Sequence, residues 1–135
     1  MRASTIAKLD EVLRRFATLP FEWGASDCVC LAGACGIAIT GKDFVERFRP
    51  YTSELSAMRR LRAAGFASVE AAAASLLPDR QIGRAETGDL GVYRTGELGV
   101  VIGSEIVYRD RLRGNVRLPL WSARRFFALA DYEAA

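Results

Sequence analysis

Asp27-Cys28-Val29-Cys30-Leu31-Ala32-Gly33-Ala34-Cys35-Gly36-Ile37-Ala38-Ile39-Thr40-Gly41 is the stretch on which the fold turns. Asp27 is a strong N-cap, because its carboxylate can accept a hydrogen bond from one of the first free helical N–H groups. Gly41 is placed to stop the helix in a left-handed turn. Between them, Cys28 to Ile39 carries no charge, and its apolar residues surround the helix instead of forming a stripe. A helix that is apolar on every side should be buried on every side. The run is too short for a bilayer, which needs about 20 apolar residues. It therefore predicts a central helix wrapped by a sheet or by other helices, with small residues that let its neighbours come close.

On the N-terminal side, Ser4 is placed to cap a first helix whose stripe is Ile6, Leu9, Val12, Leu13 and Phe16, and Leu19-Pro20 ends it. Phe21, Trp23 and Gly24 form an aromatic loop before the central helix. On the C-terminal side, Lys42 to Pro50 reads as a charged connector. Ser53 caps a third helix with Leu55, Met58 and Leu61 inward and Gly65 at its end. Ser68 caps a short fourth helix that runs to Leu77-Pro78. From Thr87 onward the pattern changes to short β-prone runs between glycines: Leu90 to Tyr93, Leu98 to Ile102, Ile106 to Tyr108, Val116 to Leu118 and Arg125 to Leu129. Gly96, Gly103 and Gly114-Asn115 mark turns. Helices first and an antiparallel meander second define an α+β chain, here one domain over 1–135 with no repeat, no linker and only Glu133-Ala134-Ala135 as a tail.

Half of the 135 residues are hydrophobic and 26% are charged, which excludes a disordered chain. There is no histidine, so this chain supplies neither a Cys-His nor a Ser-His dyad, nor an imidazole zinc ligand. Cys28, Cys30 and Cys35 are odd in number and clustered, which argues against a disulfide framework and for a reducing compartment during folding. On one helix Cys30 faces almost opposite to Cys28 and Cys35, so the three do not converge on one metal ion. No metal and no cofactor is expected. The charged N-terminus is not that of a signal peptide, and no membrane span is expected.

Cys28 is the candidate nucleophile. It opens the buried helix, where free N–H groups and the helix dipole stabilise a thiolate and can hold an oxyanion. The neighbouring Asp27 opposes this, because its charge disfavours a second anion. The alternative is that Cys28, Cys30 and Cys35 are core residues.

Pro20-Phe21-Glu22-Trp23-Gly24-Ala25-Ser26-Asp27-Cys28 resembles the aromatic, Trp-Gly, Asp-Cys block of the NlpC/P60 cysteine peptidases, and most closely the divergent kind encoded in phage tail-assembly modules. Thr87-Gly88-Asp89-Leu90-Gly91-Val92-Tyr93 resembles the family's Gly-Asp-Leu block. Glu97-Leu98-Gly99-Val100-Val101-Ile102-Gly103 resembles its His-Val-Gly-Ile-x-Leu-Gly strand. The resemblance implies a papain-like fold with a catalytic-type helix packed on a small antiparallel sheet. It implies Cys28 at the nucleophile position, Glu97 where the general-base histidine belongs, and Tyr108 near the third polar position. Trp23, Gly24 and Asp27 would shape the groove. A carboxylate at Glu97 is a feeble base toward a thiol, because its usual pKa of about 4.3 lies far below the thiol's. The family's dyad is therefore broken.

The stretch Tyr108 to Arg125 interleaves Arg109, Arg111, Arg113 and Arg117 with Leu112, Leu118, Leu120 and Trp121. It reads either as a docking surface, with Arg109, Arg111, Arg113, Arg117 and Trp121 as anchors, or as a solvated face. The pI near 9.0 leaves nucleic acid open, but no nucleic-acid motif accompanies the arginines. The expected function is that of a structural or assembly component of a phage tail tip, a catalytically degenerate domain that binds other tail proteins and resides in the virion after assembly in the host cytoplasm. The alternative is an active cysteine peptidase that hydrolyses peptidoglycan stem peptides with Cys28.

Overall fold

The computed structural model describes residues 1–132; the tail Glu133-Ala134-Ala135 lies outside them. The first helix, α1, spans Ala3–Ala17 and buries Leu9, Val12, Leu13 and Phe16. Ser4 lies inside it, not at its cap. Arg2 holds the cap position and gives no side-chain hydrogen bond, so this end rests on the packing of the apolar stripe. The central helix, α2, spans Cys28–Thr40 between Asp27 and Gly41, as the sequence predicts. Asp27 Oδ1 accepts from the Cys30 N–H at 2.9 Å, and Gly41 takes φ +75°.

α2 is buried along Cys30, Leu31, Ala32, Gly33, Cys35 and Gly36, whereas Ile37 stays exposed, so the wrapping is incomplete. Its glycines work by close approach. A Cβ on Gly33 would lie 2.5 Å from Val45 Cγ2, and one on Gly36 would lie 2.9 Å from the Phe44 ring. The connector after α2 thus folds back and presses Phe44, Val45 and Phe48 into the core. α3 (Glu54–Ala63) starts with a capping box between Ser53 and Ser56, and α4 (Val69–Leu76) is capped by Ser68. Leu61 is the inward residue of α3, while Leu55 points to solvent and Met58 is half-buried.

Among the described residues six strands follow: β1 (Asp79–Arg80), β2 (Leu90–Tyr93), β3 (Leu98–Ile102), β4 (Glu105–Asp110), β5 (Gly114–Pro119) and β6 (Ala123–Phe127). Every pairing is antiparallel, in the order β1-β6-β2-β3-β4-β5. The expected meander covers β2 to β5. The chain then crosses back, so that β6 pairs with β2 and not with β5. A 3-10 turn over Leu120–Ser122 makes this return.

The register sorts the two faces by the period of two. Leu90, Val92, Leu98, Val100, Val107 and Phe127 share the main core with α1 and α2. Val101, Ile106, Tyr108 and Phe126 form a second cluster on the other face, packed against Leu118, Leu120 and Ala123. The molecule is α+β, with helices against one face of the sheet and α2 set directly against β3. Among the described residues, no helix is long and apolar enough to cross a membrane.

Candidate functional site

The residues that precede α2 build the site. Gly24 takes φ +81°, and a Cβ there would fall 1.8 Å from the Tyr51 carbonyl oxygen, so only glycine fits. Its N–H donates to Asp27 Oδ2 at 2.8 Å, and the Tyr51 hydroxyl donates to the same oxygen at 2.6 Å. Asp27, only 1% exposed, therefore has both oxygens engaged in tying the loop, the connector and α2 together. The Trp-Gly and Asp-Cys elements of the sequence are the two ends of this tie. Tyr51 is the partner that sequence reasoning missed, and its position between a proline and a threonine carries no signal for a contact 24 residues away.

Cys28 is half-buried at the head of α2 and opens onto a cleft of about 910 Å³. The cleft is lined by Met58 and Leu61 of α3, Ala72 of α4, Cys28 and Val29 of α2, and Leu98 at the start of β3. The lining is mostly apolar. Glu97, exposed, stands at the cleft with its carboxylate hydrogen-bonded by the Thr95 hydroxyl.

The electrostatics of Cys28 oppose a thiolate. Burial pushes the thiol up to about 12, and the carboxylates of Asp27 and Glu97 push in the same direction; the Leu98 backbone acts in the opposite sense and offsets them only in part. Cys35 is likewise pushed up to about 12 by burial. Tyr108, at the third polar position, lies beneath the surface. Its ring packs edge-on against Tyr93 at 5.3 Å, its hydroxyl lies 3.3 Å from Ser122 Oγ, and burial raises its pKa. Among the described residues no hydrogen bond joins Tyr108 to Glu97, so it does not orient that carboxylate.

A family model described as a domain of unknown function, DUF6950, matches residues 1–129, from α1 through β6. The chain belongs to the DUF6950 family. No curated protein matches it. The tie around Asp27, the thiol and the cleft all lie within the DUF6950 match.

The arginines of the DUF6950 domain separate by burial. Arg109 is 4% exposed and is not part of any surface, contrary to its expected place on a docking face. Its guanidinium donates to the carbonyls of Phe16, Leu19 and Ser26, each at 2.8 Å, and to Asn115 Oδ1 at 2.9 Å. An alternating strand pattern would send Arg109 to the same side as Val107, toward α1, where the end of a helix leaves carbonyls without partners. Arg111, Arg113 and Arg117 are exposed, as is Trp121 at 85%. Arg111 lies over the Trp23 ring at the cleft and bonds Glu54, a further residue that sequence reasoning did not single out. Trp23 itself is half-buried and packs edge-on to Phe21 at 5.1 Å.

Proposed function

We propose that this DUF6950 chain is a papain-like, NlpC/P60-type domain that has lost its peptidase chemistry and works by binding its protein neighbours in the tail tip of a phage or phage-derived particle. One observation carries the loss of chemistry. The thiol that heads the buried helix faces carboxylates and no imidazole, and its pKa is pushed up to about 12. At neutral pH it is a thiol, not a nucleophilic thiolate. The cleft beside it keeps an apolar lining suited to holding a peptide.

The assignment to a tail rests on the three sequence blocks, Pro20 to Cys28, Thr87 to Tyr93 and Glu97 to Gly103, that resemble the phage-encoded NlpC/P60 kind. The helix set against an antiparallel sheet is compatible with it.

Two measurements test the reading. The wild type and Cys28→Ala are incubated with peptidoglycan stem-peptide fragments, and the products are read by mass spectrometry. Equal, background-level release is expected; release that depends on Cys28 would establish the peptidase instead. Mass spectrometry of purified particles should find the protein in stoichiometric amount, and its absence would remove the virion role.

A further inference from the structure

The basic excess of the molecule sits in one segment, Lys42 to Phe66. It carries six basic side chains, Lys42, Arg47, Arg49, Arg59, Arg60 and Arg62, against three acidic ones, Asp43, Glu46 and Glu54, an excess of +3. The whole chain has the same net charge of +3, so the rest of it balances to zero. Asp43 holds Arg49, and Glu54 turns to Arg111 outside the segment. Arg47, Arg59, Arg60 and Arg62 are exposed and join no ion pair among the described residues, which leaves Glu46 as the one carboxylate of the segment outside an ion pair.

Helix α3 arranges these cations. Leu55, Arg59 and Arg62 stand at i, i+4 and i+7, on one stripe turned away from the buried Leu61. Leu55 is 60% exposed. Arg60 lies to one side of the stripe, with its Nε donating to the Pro50 carbonyl at 3.0 Å. The 3-10 turn Glu46–Phe48 packs beside α3 and carries Arg47, whose guanidinium lies 5.9 Å from the Phe48 ring centroid. An exposed leucine is thus set among guanidinium groups that the chain itself does not neutralise.

We propose that this outer face of α3 docks an acidic, amphipathic segment of a partner protein, whose carboxylates pair with Arg59 and Arg62 while an apolar side chain covers Leu55. Charge complementarity selects the sign of the occupant: a basic segment would meet four guanidinium groups outside any ion pair and find Glu46 alone to pair with. Leu55 selects a protein over a nucleic acid. A phosphate backbone has nothing to cover it with, and the stripe carries no aromatic ring on which a base could stack. The inference rests on the protein-binding reading above for the class of partner, and adds the surface and its chemistry.

The test uses the full chain at low salt and three labelled probes read by fluorescence anisotropy: Glu-Glu-Leu-Leu-Glu-Glu-Leu-Leu-Glu-Glu, the same peptide with lysine for glutamate, and a single-stranded oligonucleotide of the same charge as the acidic peptide. The acidic peptide should bind tightest and weaken as salt is raised. Arg59→Glu/Arg62→Glu should weaken it by at least about tenfold, since two ion pairs are lost and two repulsions gained, and Arg59→Gln/Arg62→Gln by about threefold with an unchanged thermal midpoint. Leu55→Ser should weaken the acidic peptide by about threefold and leave the oligonucleotide unaffected. Arg84→Glu/Arg94→Glu, which changes the net charge equally at exposed sites elsewhere, should alter binding less than twofold. No binding of the acidic peptide, equal or tighter binding of the lysine peptide or the oligonucleotide, indifference to Leu55→Ser, or an equal loss from the Arg84 and Arg94 variant would overturn the proposal. Cys28-dependent hydrolysis and absence from particles, the results that would sink the reading above, are scored in their own assays and leave these outcomes readable.

Discussion

Single residues set the chemistry of the cleft, and Cys28 sets it most directly. A rise from the ordinary 9.0 to about 12 lowers the thiolate fraction at pH 7.5 about a thousandfold, and the greater nucleophilicity of a more basic thiolate recovers about twentyfold. Carbamoylmethylation of Cys28, followed by peptide mass spectrometry, should therefore run about fiftyfold slower than that of free cysteine and climb steeply with pH. A rate equal to that of free cysteine would mean that neither burial nor the neighbouring carboxylates suppress the thiolate. Gly24 offers a second test at this scale. Gly24→Ala combines a left-handed φ with an overlap on the Tyr51 carbonyl, which should cost at least about 3 kcal/mol in urea unfolding. Gly41→Ala, at a similar φ but with nothing within 4 Å, should cost only about 1 kcal/mol. Cys28, Asp27 and Gly24 were legible because capping and turn chemistry act within a few residues. Tyr51 and Glu54 were not, because their contacts to Asp27 and Arg111 span 24 and 57 residues and follow no local period.

At the scale of elements, Arg109 binds the sheet to α1. It reaches from β4 to the carbonyls of Phe16 and Leu19 at the end of that helix and to Ser26 just before α2, with its guanidinium 5.7 Å from the Phe16 ring. Burial lowers its pKa from the ordinary 12.5, with the Asp27 charge acting in the opposite sense. Arg109→Met should leave several buried carbonyls without donors and cost about 3–5 kcal/mol; Arg109→Lys, which cannot fork, should cost about 2 kcal/mol. Denaturant midpoints at constant m-value read both, and a loss below about 1 kcal/mol for Arg109→Met would show that water replaces the guanidinium. The helices were readable in outline because α2, α3 and α4 carry cap residues at the positions the structure uses, whereas at α1 the serine read as a cap, Ser4, lies inside the helix and no side chain caps it. The two-residue β1 and the return of β6 to β2 were not readable. A strand that short has no period, and partner choice among similar apolar strands depends on tertiary contacts that propensity does not encode.

For the molecule as a whole, α3 and α4 are joined to the sheet by apolar contacts and by ion pairs, of which the Arg111–Glu54 pair lies at the cleft. Arg111 bonds Glu54 on α3, while Glu70 on α4 accepts from Arg124 and Arg125 of β6, and Arg125 also holds Asp79 of β1 at 2.8 Å. These arginines hold the carboxyls of Glu70 and Asp79 below their ordinary values of 4.5 and 3.8. A carboxyl whose folded pKa is lowered stabilises the fold fully above its unfolded pKa, and that contribution fades as pH falls through the folded value. The thermal midpoint should therefore drop between about pH 4.5 and the lowered values. Glu70→Gln should reduce stability at pH 7 by about 1 kcal/mol and flatten this part of the profile. Moderate salt should reduce the difference between wild type and variant, because the arginines concerned are about one-third to one-half exposed and open to screening. Comparing the two proteins across pH isolates the Glu70 contribution from the buried pair Arg80–Asp89, whose carboxyl is raised by burial and so carries the opposite sign. If the two midpoint curves ran parallel from pH 7 to pH 3, the α4–β6 ion pairs would play no part in holding the cleft wall, and its position would rest on Leu61, Ala72, Ala73 and Leu77 alone.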